Sequence, residues 1–214
     1  MISSTSETSR LHSLTDQPPD TDPYNVPMLV LASASPRRQE LLRNAGIPFE
    51  VQPAHIPEDP LPGEGARGCA ERLAREKALA ISEKRPADVV LGADTVVVID
   101  GQILGKPTDA ADAARMLRVL SGREHQVITG VCLVTSGQWS VASEITAVTM
   151  SAITDTEIAS YVATGEPMDK AGAYAIQGIA SRWIPRIEGD YSNVVGLPVA
   201  LVCQMLRDLE LAAR

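Results

Sequence analysis

A serine and two arginines follow the first apolar run of this sequence, and side chains of these types often bind phosphate. The run Met28–Ala32 predicts a buried strand, and Ser35–Pro36 predicts the start of a helix directly after it. Ser33, Arg37 and Arg38 therefore lie at the amino end of a helix, where free backbone amides, hydroxyls and guanidinium groups attract phosphate. The plainer alternative is an ordinary helix start with two solvated arginines.

A single carboxylate interrupts the most apolar stretch of the chain. Asp94 lies within the β-branched run 88–99, where burial without a partner or a metal would be costly. We therefore expect Asp94 to face a cleft, with Gly92 and Ala93 leaving room for a ligand. The alternative is a structural aspartate satisfied by backbone or arginine hydrogen bonds.

A third candidate segment, Gly165–Gly178, interleaves small residues with polar ones. Its glycines, its lysine and Gln177 favour a loop that closes on a ligand, although an irregular surface loop has a similar composition. Lys77, in a predicted helix, and Lys106, before a proline, carry little weight singly because solvated lysines are common.

Other familiar chemistries find no support in the sequence. The GxxxxGK[ST], HExxH and GxSxG motifs are absent. No metal-ligand spacing relates the histidines or the cysteines, and we expect the cysteines to be buried, reduced thiols. The residues concerned are His12, His55, His125, Cys69, Cys132 and Cys203.

Composition limits the partners. The chain has 214 residues, 44% of them hydrophobic, and a formal net charge of -8, which argues against binding a nucleic acid polymer or an anionic membrane. A small phosphorylated substrate stays possible if basic groups gather in a pocket inside the acidic shell. No apolar run reaches the roughly 18 residues of a membrane span.

The amino-terminal residues differ from the rest. Of residues 1–27, 13 are Ser, Thr or Pro, which predicts a disordered tail with no secretory or transit signal and a cytoplasmic protein. Residues 28–214 then form one domain. Strands alternate with helices along it, and hairpin signals at Asp100–Gly101 and Ser136–Gly137 predict an α/β fold with a mixed sheet. Further strands are predicted near 49–52, 126–135, 139–149 and 182–187, and further helices near 69–82, 109–120, 154–163 and 197–209.

Taken together, these segments resemble the Maf family of nucleotide pyrophosphatases. The resemblance covers about residues 28–206, in the family's order. It rests on Leu31–Arg38, Ala74–Ala78, Gly92–Thr95, Gly105–Pro107, Leu120–Gly122, Gly165–Gly172 and Val195–Pro198.

The resemblance implies a mixed, twisted β-sheet flanked by helices with an active-site cleft. It implies hydrolysis of a nucleoside triphosphate between its α and β phosphates, a divalent cation (Mg²⁺ or Mn²⁺) and a possible homodimer. Asp94 would be the catalytic carboxylate and, with Glu58, a metal ligand, although Asp59 is an alternative to Glu58. The substrate would be bound by Ser33, Arg37, Arg38, Lys77, Thr95, Lys106 and Gln177.

The resemblance also extends to one branch of the family. Arg37, Thr95 and Gln177 are similar to the branch that acts on dTTP and UTP, whereas the 7-methyl-GTP branch typically has an aromatic residue, Gln and Glu there. A primary amide such as that of Gln177 offers a donor and an acceptor, which match O4 and N3–H of uracil and thymine. The alternatives are the same hydrolase acting on 7-methyl-GTP or another non-standard nucleotide, and a nucleotide-binding regulator of cell division.

Overall fold

The structure, a computed structural model, describes residues 28–212, so the predicted tail at residues 1–27 lies outside the described residues. Within that range one mixed sheet is flanked by helices, which confirms the predicted α/β class. The strands are β1 (Leu29–Leu31), β2 (Glu50–Val51), β3 (Val89–Ile99), β4 (Gln102–Leu104), β5 (Glu124–Thr135), β6 (Gln138–Thr149) and β7 (Arg186–Glu188). The helices are α1 (Pro36–Asn44), α2 (Ala66–Ser82), α3 (Ala110–Leu120), α4 (Asp155–Ala163), α5 (Tyr191–Val195) and α6 (Val199–Ala212).

The sheet changes from parallel to antiparallel at its centre. Its strand order is β2-β1-β3-β5-β6-β7, with β4 paired to β3 outside this path. Strand β1 runs parallel to β2 and β3, and the remaining pairs are antiparallel. Both predicted hairpin turns form with positive φ, at Asp100 (51°) and Gly101 (76°) and at Ser136 (48°) and Gly137 (77°).

Alternate residues of the central strands pack on opposite faces of the sheet. Leu31 and Leu91 join the core beneath α1 and α6, whereas Val30 and Val90 join the core beneath α2. By this alternation, consecutive residues of β3 belong to different faces. A further core cluster under α3 and α4 completes the other end of the molecule.

Two glycines let α2 lie directly on the sheet. A Cβ atom at Gly92 would lie 2.1 Å from the Ala74 carbonyl oxygen, and one at Gly130 would lie 2.3 Å from the Ala70 carbonyl oxygen. The expectation that Gly92 and Ala93 leave room for a ligand is therefore wrong. The backbone of α2 fills the space at Gly92, and Ala93 is buried in the core on the other face.

The carboxy-terminal third departs from the sequence pattern in two places. The strand predicted near 182–187 is shorter, because residues Ile179–Trp183 form a 3₁₀ turn before β7. The buried Trp183 ring packs edge-on against Tyr161, with ring centroids 5.4 Å apart, and this packing holds the turn. The helix predicted from Leu197 begins at Val199 and is preceded by α5, whose first amides are capped by the Asp190 carboxylate.

Cysteine burial largely agrees with expectation. Cys69 and Cys132 are buried free thiols, and Cys203 is half-buried. Burial raises the pKa of both Cys69 and Cys132 to about 11, which disfavours their reactive thiolate forms.

None of the helices within residues 28–212 combines the length and the apolar character that crossing a membrane requires.

Candidate active site

A cavity of about 800 Å³ opens beyond the end of β1, beside β3. Ligands of open α/β sheets commonly bind outside the carboxyl ends of parallel strands, and the volume is within the range of small-molecule sites. The cavity brings together every site residue predicted from the sequence: Ser33, Arg37, Arg38, Glu58, Lys77, Asp94, Thr95, Lys106 and Gln177.

The charges of the cavity are nearly balanced, whereas the sequence predicted a basic pocket. Its walls carry five cationic and four anionic side chains. The cations are Arg37, Arg38, Lys77, Lys106 and Lys170, and the anions are Glu58, Asp59, Asp94 and Asp169. Carboxylates that sit among lysines favour a site that handles a phosphate group, a metal ion or a proton, rather than one that only attracts anions.

The turn between β1 and α1 forms one wall of the cavity. Ser35 occupies the N-cap position and Pro36 begins the helix, as predicted, but the Ser35 side chain makes no capping hydrogen bond. The Ser33 hydroxyl instead accepts from the Ser35 amide at 3.2 Å. Arg37 crosses the cavity edge and donates to Asp169 Oδ2 at 3.0 Å, so it joins α1 to the segment after α4.

Arg38 is a buried clamp between three parts of the chain. Its Nε donates to the Gly196 carbonyl at 2.7 Å, and its terminal nitrogens donate to the Ser33 and Thr95 hydroxyls, both at 3.1 Å. Burial lowers the pKa of Arg38 from its usual value, against the opposing attraction of Asp94 and Glu58. The alternative of a solvated arginine is therefore wrong for Arg38, which is only 9% exposed.

A chain of alternating charges crosses the cavity. The Lys77 ammonium lies 2.6 Å from Asp94 Oδ1 and 2.6 Å from Glu58 Oε1. Glu58 Oε2 then accepts from Lys106 at 2.7 Å. Lys77 and Asp94 are buried, whereas Glu58 and Lys106 lie toward the open side. We call Asp94, Lys77, Glu58 and Lys106 the charged array.

The fold explains why Lys77 meets Asp94. Asp94 lies two residues after Gly92 on the same face of β3, and Lys77 lies three residues after Ala74 on α2. Because the helix backbone touches the strand at Gly92, the two side chains converge across a short gap. A larger residue at Gly92 would separate the helix from the strand and pull the ion pair apart.

Glu58 is held in its ionised form. Burial alone would raise its pKa, but hydrogen bonds from Lys106 and Lys77 lower the pKa of Glu58 to about 2. Asp59, the sequence alternative, also lines the cavity, but its carboxylate forms no hydrogen bond with the described residues, and its carbonyl accepts from Arg72 at 3.1 Å. Glu58 is therefore the better placed of the two for the role that the resemblance implies.

Two carboxylates of the array suit a divalent cation only in part. Nowhere among the side chains of residues 28–209 do three or more His, Cys, Asp or Glu gather as potential metal ligands. Mg²⁺ is often held by one or two carboxylates and completed by substrate phosphates and water. Asp94 and Glu58 fit that pattern, because both already point an oxygen at one shared cation, the Lys77 ammonium.

Thr95 and Gln177 differ in how free their polar groups are. The Thr95 hydroxyl accepts from Arg38 and lies 3.0 Å from the Thr129 hydroxyl, so protein partners already hold it. Gln177 is exposed at the cavity edge, and its side-chain amide forms no hydrogen bond with any of residues 28–209. Of the two, Gln177 therefore has the more available groups for a ligand.

Thr129 and Asn193, which the sequence did not indicate, support the site from outside the cavity. Thr129 donates to the Asn193 carbonyl at 3.1 Å, and the Asn193 amide donates to Val127 O at 3.0 Å. These bonds tie α5 to β5 behind Thr95. A threonine within the apolar run of β5 was the available signal, but a threonine in a strand is too common to single out.

Comparison with known proteins identifies one family, and the three similar proteins described here share one name. The family model described as "Maf-like protein" matches residues 28–209. A protein of Koribacter versatilis named dTTP/UTP pyrophosphatase is 59% identical over 185 residues, which span 86% of this chain and 96% of that protein. Proteins of the same name from Symbiobacterium thermophilum (54% identical, 83% and 92% covered) and Geobacter metallireducens (51% identical, 85% and 94% covered) are also similar.

Proposed function

Because the chain belongs to the Maf-like protein family, we propose that it is a nucleotide pyrophosphatase that hydrolyses dTTP and UTP to the nucleoside monophosphate and pyrophosphate. The observation that carries the proposal is the charged array inside the cavity, where a buried carboxylate and two lysines meet. The names of the relatives, dTTP/UTP pyrophosphatase, support the reaction and the substrates.

The proposed reaction is attack of water on the α-phosphorus, with pyrophosphate as the leaving group. Asp94 is the proposed general base, because it is the buried carboxylate of the array and its Oδ1 is oriented by Lys77 at 2.6 Å. Its second oxygen, Oδ2, takes part in no hydrogen bond with the described residues, so it is available to receive the proton of the attacking water.

The cationic residues take the negative charge of the triphosphate. Lys77 and Lys106 lie on either side of Glu58, and Arg37 lies at the amino end of α1. Charge moves toward the leaving group as the bond to the α-phosphorus breaks, and fixed cations that meet that charge lower the barrier. Arg38 acts on the phosphate charge at longer range, because three of its N–H groups already donate to Ser33, Thr95 and Gly196.

A divalent cation, Mg²⁺ or Mn²⁺, is proposed to be held by Asp94 and Glu58 together with the substrate phosphates. Such an ion supplies Lewis-acid stabilisation of phosphate charge when bound.

Base selection is assigned to the exposed edge of the cavity. Gln177 presents a free primary amide there, and the amide's donor and acceptor match O4 and N3–H of uracil and thymine. Cytosine presents the reverse pattern at this edge, an amino donor and the N3 acceptor, so selection against it requires the Gln177 amide to be held in one orientation. The predicted homodimer and cytoplasmic location stay predictions.

Product analysis in labelled water tests the reaction. The protein is incubated with dTTP and either Mg²⁺ or Mn²⁺ in H₂¹⁸O, with an Asp94→Asn protein as the control for contaminating activity. We expect dTMP that carries the label and unlabelled pyrophosphate, with little product in the control and none without a divalent cation. Formation of dTDP and phosphate, or label in the pyrophosphate, would contradict attack at the α-phosphorus.

A further inference from the structure

Two residues that do not line the cavity form hydrogen bonds with the backbone on either side of Gln177. The Glu166 carboxylate accepts from the Tyr161 hydroxyl at 2.8 Å, and its two oxygens accept from the Ile179 amide at 3.1 and 3.3 Å. The Tyr161 hydroxyl itself accepts from the Ala175 amide at 3.2 Å. The two attachment points lie two residues before and two residues after Gln177.

The packing around these hydrogen bonds is close. A Cβ atom at Gly178 would lie 2.1 Å from Glu166 Oε1, so the carboxylate lies directly against the backbone next to Gln177. The Gly178 amide donates to Ala175 O at 3.1 Å and closes the turn. Tyr161 is only 2% exposed and packs edge-on against Trp183. The anchor is therefore rigid, whereas the Gln177 side chain is not held by the protein.

The position of its backbone limits which atoms of a base a free side-chain amide can reach. Gln177 is exposed, and none of residues 28–209 forms a hydrogen bond with its amide, so the position of the amide depends on the chain on either side. Groups that do not touch the ligand commonly set the geometry of those that do. Glu166 and Tyr161 supply that support, and the pKa of Tyr161 is raised by burial and by its bond to Glu166, so the hydroxyl keeps its proton.

We infer that Glu166 is a positioning residue for base selection: together with Tyr161 it clamps the backbone on both sides of Gln177 and so sets the preference for uracil or thymine over cytosine. The inference rests on the proposed function, since it gives Gln177 the role of contacting the base. Glu166 lies outside the cavity lining, and the described hydrogen bonds of its carboxylate go to Tyr161 and Ile179 rather than to the charged array.

The test compares catalytic efficiency on dTTP and CTP for the wild type and Glu166→Gln. The new amide keeps the size and can keep an oxygen at the Oε1 position, but its N–H₂ group then faces the Ile179 amide from the Oε2 position, and the negative charge that strengthened both hydrogen bonds is lost. We expect the dTTP to CTP efficiency ratio to fall roughly fivefold to tenfold, the effect of about one lost hydrogen bond, mainly through a higher KM for dTTP. Glu188→Gln is the matched control, because the exposed Glu188 pairs with Arg186 and with no other cation of the described residues, and it should leave the ratio unchanged.

Coupling to Gln177 separates positioning from a general structural effect. In a Gln177→Ala background, Glu166→Gln should produce little further loss of the ratio, since the amide that it positions is gone. An equal loss on both nucleotides, an unchanged ratio, or a full additional loss in the Gln177→Ala background would overturn the inference.

If the Glu166→Gln protein does not fold, a second variant tests the same inference. Tyr161→Phe removes the hydroxyl that joins Ala175 to Glu166, with Tyr191→Phe as the control at an exposed tyrosine, and the same ratios decide. Failure of the proposed function has a different signature. A Gln177→Ala protein with an unchanged ratio refutes base contact by Gln177, whereas a ratio lowered by Gln177→Ala but by neither clamp variant refutes the clamp alone.

Discussion

Replacing Lys77 by methionine should destabilise the protein as well as inactivate it. Lys77 is 5% exposed and is the shared partner of Asp94 and Glu58. Met keeps an unbranched chain of similar length, so the main change is the loss of the ammonium. Without it, the buried Asp94 carboxylate faces a second carboxylate and no cation at 2.6 Å.

The magnitude follows from the exposure of the three groups. Breaking a fully buried ion pair costs about 3 to 5 kcal/mol. The Glu58 side chain is 39% exposed, so water screens part of the repulsion, and we expect a loss of about 2 to 4 kcal/mol in the free energy of unfolding. For a domain of this size a loss of about 3 kcal/mol lowers Tm by roughly 6 to 12 °C.

Urea unfolding and thermal circular dichroism measure this loss. Lys106→Met is the control, because Lys106 is 57% exposed and Glu58 is its one partner among the described residues, and it should cost less than about 1 kcal/mol. Adding Asp94→Asn to Lys77→Met removes the stranded charge and should recover about half of the lost stability. A Lys77→Met protein as stable as the wild type, or a double variant less stable than Lys77→Met alone, would refute the assignment of Lys77 as the partner of Asp94.

Three further predictions concern the catalytic carboxylate, the amino-terminal residues and the pH dependence of stability. Asp94→Asn should keep the fold and lower turnover by roughly 10² to 10⁴, measured by pyrophosphate release; unaltered turnover would make Glu58 or Asp59 the leading carboxylate. Removal of residues 1–27 should leave a folded, active protein, since every matched segment follows them; a folded protein that has lost most of its activity would place the tail in the site or in the dimer. The pKa of Glu58 is lowered from 4.5 to about 2, so its contribution to stability is complete above pH 4.5 and is lost as the pH falls toward 2. Urea unfolding of wild type and Glu58→Gln should therefore differ most above pH 4.5 and converge near pH 2, and a constant difference would contradict the ion pairs of Glu58.

The sequence pointed to some of the residues that line the cavity because they lie next to a feature with a local pattern. Ser33 and Arg37 follow an apolar strand and precede a Ser-Pro helix start, and Asp94 interrupts an apolar run. Gathering them in one cavity needs the parallel pairing of β1 and β3, which brings the end of β1 beside Asp94. Without the family resemblance, the sequence offered Lys77 and Lys106 only as two lysines among many.

What the sequence could not reveal depends on contacts between distant segments. Gly92 was interpreted as room for a ligand, but the space is taken by Ala74 of α2, a packing that no local pattern announces. The balance of charge in the cavity was missed because Asp169 pairs with Arg37 across 132 positions of sequence. The clamp at Glu166 was missed for the same reason, because its partner Ile179 lies beyond the segment that the sequence singled out.

We propose that this site selects dTTP and UTP through the amide of Gln177. The most direct measurement is the catalytic efficiency of the wild type and of Gln177→Glu on dTTP, UTP, CTP, GTP and 7-methyl-GTP. The carboxylate keeps an acceptor for N3–H but loses the donor to O4. The transition-state free energy for dTTP and UTP should therefore rise by on the order of 1 to 3 kcal/mol, which lowers catalytic efficiency roughly tenfold to a hundredfold. Efficiency on 7-methyl-GTP, whose base edge offers donors, should be spared or improved. A wild type that prefers 7-methyl-GTP, or a substitution that slows all five nucleotides equally, would contradict the claim.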